Sequence, residues 1–235
     1  GAQHPMSHKP IHIIGLTGPA GCGKDTVAAY LRDHAGYRVR AFADALRAEV
    51  CSAFALPIEA LTDRASKETP SDLLSMRFCS DQEFVAVMAS LDGLDETFGD
   101  CREFWAQHRS PRAIMQAWGT DYRRKRSRDD YWLRQWLDGW QHRLGGLHVV
   151  PDVRFANEAE LIREYGGEVW KVTRPGTGLI NSHASETTGD AFNPERTIFN
   201  DRGLPELRTE TLRNLWEATS GLQITILGNL TDGDA

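Results

Sequence analysis

The first hydrophobic stretch of the chain is short, nearly continuous and followed at once by glycine. Residues 11–16 are almost wholly apolar and run into Thr17-Gly18-Pro19, which is typical of a strand buried on both faces of a parallel sheet. Beyond the glycines, Val27 and Leu31 belong to an apolar pattern with helical spacing, and Gly36 provides a helix end. The pattern therefore predicts a strand, a glycine-rich loop and a helix.

Similar short apolar runs recur later in the chain, separated by stretches of helical composition. A helix is predicted at residues 156–165. Strands are predicted at residues 37–43, 147–150, 168–173, 197–199 and, as an edge strand, 222–226. Strands that alternate with helices indicate an α/β fold with a mainly parallel sheet flanked by helices. Residues 45–145 lack a clear strand pattern and are predicted to form a helical insertion.

Length and composition are those of an ordinary globular protein. The chain has 235 residues, of which 26% are charged and 40% hydrophobic, and this excludes disordered and low-complexity classes. We interpret residues 1–5, before Met6, as left over from expression and residues 229–235 as a flexible tail, so residues 6–228 are predicted to form one domain. No apolar run approaches the roughly 18 residues of a membrane span, and the four cysteines lack metal-binding spacing. We expect a cytoplasmic protein with no membrane partner.

The charge balance opposes one class of function. The chain has 27 Lys+Arg against 33 Asp+Glu, a formal net charge of −6, so it is not expected to hold nucleic acid by global charge. A local concentration of positive charge is found in Arg123-Arg124-Lys125-Arg126-Ser127-Arg128, which precedes Asp129-Asp130. This run has three interpretations: a solvated helix face, a contact with several DNA phosphates, or a contact with a single phosphate made mainly by Arg124. The single-phosphate interpretation is favoured because Gly119-Thr120 lies just upstream and the acidic balance elsewhere would repel a long polyanion.

The glycine-rich loop carries the clearest chemical signal. Residues 18–24 fit the pattern G-x-x-x-x-G-K of phosphate-binding loops, and they lie between a predicted strand and a predicted helix, as that pattern requires. In such a loop, backbone N–H groups surround a phosphate, the helix N-terminus adds positive potential, and Lys24 reaches the β- and γ-phosphate oxygens. The predicted ATP-binding residues are Gly18, Ala20, Gly21, Cys22, Gly23, Lys24, Asp25 and Thr26.

Two carboxylates are candidates for placing a metal ion. Asp25 stands where phosphate-binding loops normally have a Ser or Thr that ligates Mg²⁺. Its carboxylate is either a Mg²⁺ ligand, directly or through water, or a helix cap. Asp152 follows the predicted strand at residues 147–150, where α/β sheets place functional groups. Asp152 is predicted to help place Mg²⁺ or to bind the substrate, together with the adjacent Arg154 and Glu158.

Several motifs together resemble the bacteriophage-type deoxynucleoside monophosphate kinases. They are the Gly-Lys-Asp-Thr end of the loop, Ala43-Asp44-Ala45-Leu46-Arg47, Trp118-Gly119-Thr120-Asp121-Tyr122-Arg123-Arg124, Tyr131-Trp132, and Asp152-Val153-Arg154-Phe155-Ala156-Asn157-Glu158. The resemblance spans about residues 11–207 and implies a P-loop, NMP-kinase-like fold that uses ATP and Mg²⁺. It also implies γ-phosphoryl transfer to a deoxynucleoside monophosphate, giving the diphosphate for phage DNA-precursor synthesis in the host cytoplasm. The acceptor-binding residues that it implies are Leu46, Arg47, Lys67, Gly119, Thr120, Arg124, Trp132, Asp152, Arg154 and Glu158.

The resemblance assigns further roles around the transferred phosphate. Phosphoryl transfer requires in-line placement and neutralised oxygen charge, so converging Arg and Lys side chains are expected. Lys24, Arg154 and Arg174 are assigned to catalysis, with Arg174 opening a predicted lid at about residues 174–190 that excludes water. The turn Asn200-Asp201-Arg202-Gly203 resembles the one that borders adenine in related kinases.

Other features leave alternatives open. Either Trp118 or Trp132 stacks on the base, or both pack in the core. A second functional class is a kinase whose acceptor is a hydroxymethylated pyrimidine within DNA, for which Asp44 is a candidate general base. A third is a nucleotide-gated binding module without turnover. The sequence also leaves open which base is accepted and whether the protein forms a homodimer.

Overall fold

A computed structural model describes residues 11–63, 65–95, 97–141, 146–177 and 193–219. The strands are β1 (Ile13–Thr17), β2 (Arg38–Val39), β3 (His148–Val150), β4 (Glu168–Thr173) and β5 (Arg196–Phe199). The α-helices are α1 (Lys24–Ala35), α2 (Ala43–Phe54), α3 (Glu59–Thr62), α4 (Gln82–Leu91), α5 (Arg102–Ala106), α6 (Pro111–Gln116), α7 (Tyr131–Gln141), α8 (Ala156–Glu164) and α9 (Leu204–Ala218). Single 3₁₀ turns lie at Asp72–Leu74, Met76–Phe78 and Phe98–Asp100, and a π-helix (Ala117–Arg124) directly follows α6.

The described residues form two compact units. The sheet unit contains the residues up to Ala41 and those from Trp140 onward, and the helical unit is Phe42–Gly139. The described residues of the helical unit contain no strand, only an isolated bridge between Ser71 and Arg109. Whether residues 45–145 form an acceptor-binding insertion within one kinase domain stays a prediction.

The sheet unit is built on parallel strands in the order β2-β3-β1-β4-β5. The central strand, β1, has Ile13, Ile14 and Leu16 fully buried, as expected of an apolar strand covered on both faces. Because the strands are parallel, the loops that follow β1, β3, β4 and β5 lie at the same edge of the sheet. The predicted α/β fold is confirmed, and it is consistent with a P-loop, NMP-kinase-like domain.

Most predicted element boundaries agree with the structure, but β2 is shorter than predicted. β4 has the predicted bounds, and α1 ends as predicted, with Gly36 as its C-cap at φ +72°. β2 is limited to Arg38–Val39, and α2 already begins at Ala43, the last residue of the predicted strand. The predicted edge strand at residues 222–226, the predicted tail and most of the predicted lid lie outside the described residues.

Helices cover both faces of the sheet. Side chains of successive strand residues point to opposite faces, so neighbouring residues of β1 contact different helices. Ile14 and Leu16 pack with residues of α1 and α9 in a core that includes Trp170. On the other face, α8 approaches β1 so closely that a Cβ at Gly15 would lie 2.5 Å from Cδ1 of Ile162. Glycine at position 15 therefore allows α8 to pack against the central strand.

The core of the helical unit is rich in aromatic side chains. Phe84, Trp118 and Tyr122 are buried, and the Phe84 ring centroid lies 4.4 Å from that of Trp118 and 5.7 Å from that of Tyr122. Residues of α2, α4, α6 and the π-helix all contribute to this core. Across the ranges that the structure describes, no helix has the length and apolar character needed to cross a membrane.

Candidate active site

The loop between β1 and α1 is shaped by glycines with positive φ. Gly18, Gly21 and Gly23 have φ values of +140°, +76° and +109°, a region that L side chains rarely adopt. Space is also restricted, since a Cβ at Gly18 would lie 2.3 Å from the carbonyl oxygen of Val172, on β4. The predicted phosphate-binding loop thus has the tight, glycine-dependent curvature that its proposed role requires.

Lys24 lies against this loop at the start of α1. Its Nζ donates to the carbonyl oxygens of Gly18 at 2.6 Å and Pro19 at 2.8 Å, and it lies 3.7 Å from Sγ of Cys22. A fixed positive charge and the positive end of a helix therefore occur together at the carboxyl edge of the sheet. That combination attracts a phosphate group.

Asp25 lies in the first turn of α1. The N-cap position is occupied by Gly23, and Asp25 is the second residue of the helix. Asp25 is therefore not the N-cap residue, although a carboxylate in the first turn stabilises the positive end of a helix, and its role as a metal ligand stays a prediction. No group of three or more His, Cys, Asp and Glu residues arranged to hold a metal is found within the described ranges.

Asp152 follows β3, which is paired with β1 in the sheet. The turn after β3 is tied to β1 because the N–H of Val153 donates to the carbonyl oxygen of Leu16 at 3.1 Å. Asp152 and the glycine-rich loop consequently follow neighbouring strands at one edge. Mg²⁺ in kinases is usually held by one or two carboxylates together with substrate phosphates, so the donor set of Asp25 and Asp152 fits such an ion.

Glu158 has a structural role that the sequence did not separate from substrate binding. Its side chain is 2% exposed, and Oε2 accepts hydrogen bonds from the N–H groups of Arg154 at 2.7 Å and Phe155 at 3.1 Å. A carboxylate in this position stabilises the first turn of α8 and fixes the turn that carries Arg154. The Arg154 side chain is exposed, and the substrate contacts predicted for both residues stay predictions.

Arg174 follows β4 directly and is exposed. Its carbonyl oxygen accepts from the N–H of Thr177 at 3.2 Å and from Oγ1 of the same residue at 2.7 Å. These bonds form a closed turn at the start of the predicted lid. The sheet unit therefore brings the loop, Asp152, Arg154 and Arg174 to the same edge of the sheet, because all of them follow parallel strands.

The predicted acceptor-binding residues in the helical unit centre on the π-helix. π-Helical turns are rare and often occur at functional sites, and here the π-helix contains Gly119, Thr120 and Arg124. The carbonyl oxygen of Gly119 accepts from Nε1 of Trp132 at 3.1 Å, and a Cβ at Gly119 would lie 3.2 Å from Cδ2 of Leu46. The structure thus brings Leu46, Gly119 and Trp132 together.

Both tryptophans that were candidates for base stacking are core residues. Trp132 is 4% exposed and Trp118 is 1% exposed. The indole N–H of Trp118 donates to Oε2 of Glu49 at 2.8 Å. The structure therefore favours the packing interpretation for both side chains, and the acceptor contact predicted for Trp132 stays a prediction.

Sequence reasoning missed Glu49, which lies on α2 at the centre of a network. Its carboxylate accepts from Nε1 of Trp118, from Nε of Arg123 at 2.7 Å, and from the hydroxyl of Tyr131. Burial, and then the hydrogen bond to Glu49, raises the pKa of Tyr131 to about 12. The Arg123 guanidinium also lies 4.3 Å from the ring centroid of Tyr122. One carboxylate thus joins α2, the π-helix and α7.

The basic run that begins in the π-helix is largely paired with acidic side chains. Besides the Arg123–Glu49 pair, Lys125 contacts Asp121 at 2.7 Å and Arg128 contacts Asp130 at 2.9 Å. The run therefore does not present a continuous positive surface, which favours the contact with a single phosphate over the contact with several.

The two remaining acceptor candidates lie elsewhere in the helical unit. Arg47 donates to Oδ1 of Asp44 at 2.9 Å. Lys67 is exposed, and its backbone oxygen accepts from the N–H of Arg112 at 3.1 Å. These contacts anchor the backbone or side chain of each candidate within the unit.

A parallel sheet of this topology flanked by helices defines an α/β protein consistent with a P-loop, NMP-kinase-like domain, and comparison with known proteins identifies the family. The family model for deoxynucleotide monophosphate kinases matches residues 59–211. A protein of Acanthamoeba polyphaga mimivirus, provisionally described as a deoxynucleotide monophosphate kinase, is 31% identical over 198 residues, covering 74% of this chain and 80% of that protein. The deoxynucleotide monophosphate kinase of Enterobacteria phage T4 is 30% identical over 101 residues, covering 42% of each chain.

The chain belongs to the deoxynucleotide monophosphate kinase family and is a phosphotransferase enzyme. The resemblance drawn from the sequence motifs is therefore confirmed. The family model covers the π-helix and the Asp152–Glu158 motif but begins after the glycine-rich loop. The assignment of that loop to the nucleotide phosphates consequently rests on its own sequence and geometry.

Proposed function

We propose that the protein transfers the γ-phosphoryl group of ATP to a deoxynucleoside 5′-monophosphate and forms the diphosphate, as a step in supplying precursors for phage DNA in the host cytoplasm. The observation that carries the proposal is the glycine loop with Lys24 at its mouth in a chain of this family. The loop binds the ATP phosphates through backbone N–H groups. Lys24, Arg154 and Arg174 neutralise the charge on the transferred group.

The chemistry requires no general base. The bond between the γ-phosphorus and the β–γ bridging oxygen breaks, and an oxygen of the acceptor phosphate forms the new bond. That oxygen carries no proton at neutral pH, so positioning and charge neutralisation suffice. Asp25 and Asp152 would hold Mg²⁺ together with the phosphates, and the ion would supply further charge neutralisation. The acceptor is held by residues of the helical unit, with Arg124 on its phosphate and Leu46, Arg47, Lys67, Gly119 and Thr120 around it.

Transfer to a hydroxymethyl group in DNA is less well supported. A hydroxyl acceptor must lose a proton, and the candidate base Asp44 already accepts a hydrogen bond from Arg47. The partly paired basic run also offers less positive surface to a polymer than its sequence suggests.

The proposal is tested by measuring ADP formation from ATP and Mg²⁺ with each deoxynucleoside monophosphate in turn. Parallel reactions contain duplex DNA with hydroxymethylated pyrimidines, or no acceptor. We expect ADP formation that depends on at least one free monophosphate and is absent with DNA. ADP formation with DNA alone would identify the DNA-acting kinase, and none with any acceptor would identify a binding module.

A further inference from the structure

Asn200 reaches the phosphate-binding loop from a distant part of the chain. It is the first residue after β5, and its Nδ2 donates to the carbonyl oxygen of Cys22 at 2.9 Å. Its own N–H donates to the carbonyl oxygen of Thr173, at the end of β4, at 2.8 Å. Asn200 therefore connects the loop after β1 to the ends of β4 and β5.

The hydrogen bond fixes the orientation of one peptide group in the loop. The carbonyl of Cys22 and the N–H of Gly23 belong to the same planar peptide, and in a trans peptide they point in opposite directions. Because Asn200 binds the carbonyl, the N–H of Gly23 points away from Asn200. Gly23 is the N-cap residue of α1, so this N–H belongs to the helix end that binds anions.

The Asn200 side chain is packed closely against that peptide. A Cβ at Gly23 would lie 2.6 Å from Nδ2 of Asn200, so the glycine is required by this contact as well as by its φ of +109°. The turn is also tied to α1, because the hydroxyl of Tyr30 donates to the carbonyl oxygen of Leu204 at 3.2 Å. Leu207, one turn further along α9, is 1% exposed and shares a core cluster with Val27 of α1. Asn200 is therefore held in place from both sides.

We propose that Asn200 is a positioning residue for the nucleotide phosphates: its amide sets the Cys22–Gly23 peptide so that the Gly23 N–H faces the bound phosphate. This inference rests on the proposed function, in which the loop binds ATP. It assigns the Asn200 side chain to the loop and not to the adenine ring. A neutral donor suits this position, because a carboxylate there would repel both the carbonyl and the phosphates.

Two substitutions change the contact in different ways. Asn200→Asp keeps the size of the side chain and replaces the donor by an acceptor, and Asn200→Ala removes it. We expect each to raise the Kd for ADP and the KM for ATP about tenfold or more, the effect of losing one hydrogen bond to a partly buried carbonyl. The KM for the deoxynucleoside monophosphate should change less than twofold.

Asn214 provides a matched control. Its Nδ2 donates to the backbone carbonyl oxygen of Glu210 at 2.9 Å within α9, and the residue is 4% exposed. Asn214→Ala therefore removes the same kind of contact in the same part of the fold. We expect it to lower the melting temperature and to leave the Kd for ADP unchanged.

Inhibition by tripolyphosphate, which has no base, separates a loop role from an adenine contact. If Asn200 positions the loop, its substitutions raise the Ki of tripolyphosphate against ATP by the same factor as the KM for ATP. An unchanged Ki with a raised KM would assign Asn200 to the base and overturn the inference. Folded Asn200→Asp protein that binds ADP like the wild type would also overturn it. Wild-type protein that binds neither ADP nor ATP would instead overturn the proposed function.

Discussion

The glycine-rich loop of the sheet unit and the π-helix of the helical unit are both candidate phosphate-binding segments, but they are stabilised differently. The loop owes its shape to glycines with positive φ and to the position between β1 and α1. The π-helix is held by the Glu49 carboxylate, which binds Trp118 and Arg123 within the π-helix and Tyr131 on α7. The shape of the loop is thus set mainly by a short local sequence, with one distant contact from Asn200, whereas the π-helix depends on side chains from distant parts of the helical unit.

The largest effect on kcat is expected from a substitution in the glycine-rich loop. Because Lys24 supplies the positive charge that contacts the loop itself, Lys24→Ala should lower kcat by about 1000-fold while the fold is retained. Steady-state kinetics and circular dichroism provide the measurement. Lys125→Ala, which removes an exposed partner of Asp121, should have little effect on kcat. A Lys24→Ala enzyme with nearly full activity would remove the loop from the catalytic site.

Substitution of Glu49 tests whether the π-helix depends on its side-chain network. Glu49→Ala leaves the Arg123 guanidinium without its partner in a site where both side chains are less than a quarter exposed. We expect a loss of about 2 to 3 kcal/mol in the free energy of unfolding, and a KM for the deoxynucleotide raised about tenfold by the disturbed π-helix.

Urea denaturation and kinetics with each substrate varied in turn measure these effects. The KM for ATP should change little, since the loop belongs to the other unit. Asp33→Ala, which removes an exposed pair with Arg32, serves as the stability control and should leave the free energy of unfolding almost unchanged. Equal increases in both KM values would show that Glu49 supports general stability and not the acceptor segment.

Within the basic run, Arg124 and Arg126 offer a matched pair. Arg124 lies in the π-helix beside Tyr122 and Arg123, and Arg126 lies just beyond it and is exposed. Arg124→Ala should raise the KM for the deoxynucleotide about tenfold through loss of a phosphate contact, and Arg126→Ala should change it little. Strongly salt-dependent DNA binding lost equally in both variants would favour the polymer interpretation.

The smallest effect concerns alkaline pH. Burial and the hydrogen bond to Glu49 raise the pKa of Tyr131 to about 12, and burial likewise raises the pKa of Tyr122. A group whose pKa is higher in the folded than in the unfolded protein stabilises the fold below its unfolded pKa, and this contribution is lost as the pH rises through the folded value. Stability should therefore fall between about pH 10 and pH 12.

Absorbance titration of tyrosine ionisation, combined with urea denaturation at each pH, measures this behaviour. Tyr131→Phe should remove one late-titrating group and reduce the loss of stability over the same interval. Tyr30→Phe, which removes the hydroxyl that donates to the carbonyl oxygen of Leu204, is the control: Tyr122 and Tyr131 are still present, so the loss of stability over this interval should persist. If all tyrosines of the wild type ionise together near pH 10, the Glu49 network is not formed as described.

Local patterns predicted the parts of the site that depend on neighbouring residues. The glycine-rich loop and the bounds of β4 could be predicted because buried strands are apolar and glycine is required where φ is positive. The role of Glu49 could not be predicted, because its contact with Tyr131 joins α2 to α7 and nothing in the local sequence indicates that contact. The two tryptophans were undecided for a different reason, since an indole looks the same in a pattern whether it packs in a core or stacks on a base.

The destination of the γ-phosphoryl group tests the proposed function most directly. ATP labelled in the γ-phosphate is incubated with Mg²⁺, the enzyme and an accepted deoxynucleoside monophosphate, and the products are separated. We expect the label to appear in the deoxynucleoside diphosphate, with one ADP formed for each diphosphate, and both products to form about 1000-fold more slowly with the Lys24→Ala enzyme. Label found in inorganic phosphate regardless of the acceptor, or in DNA, would contradict the proposed function.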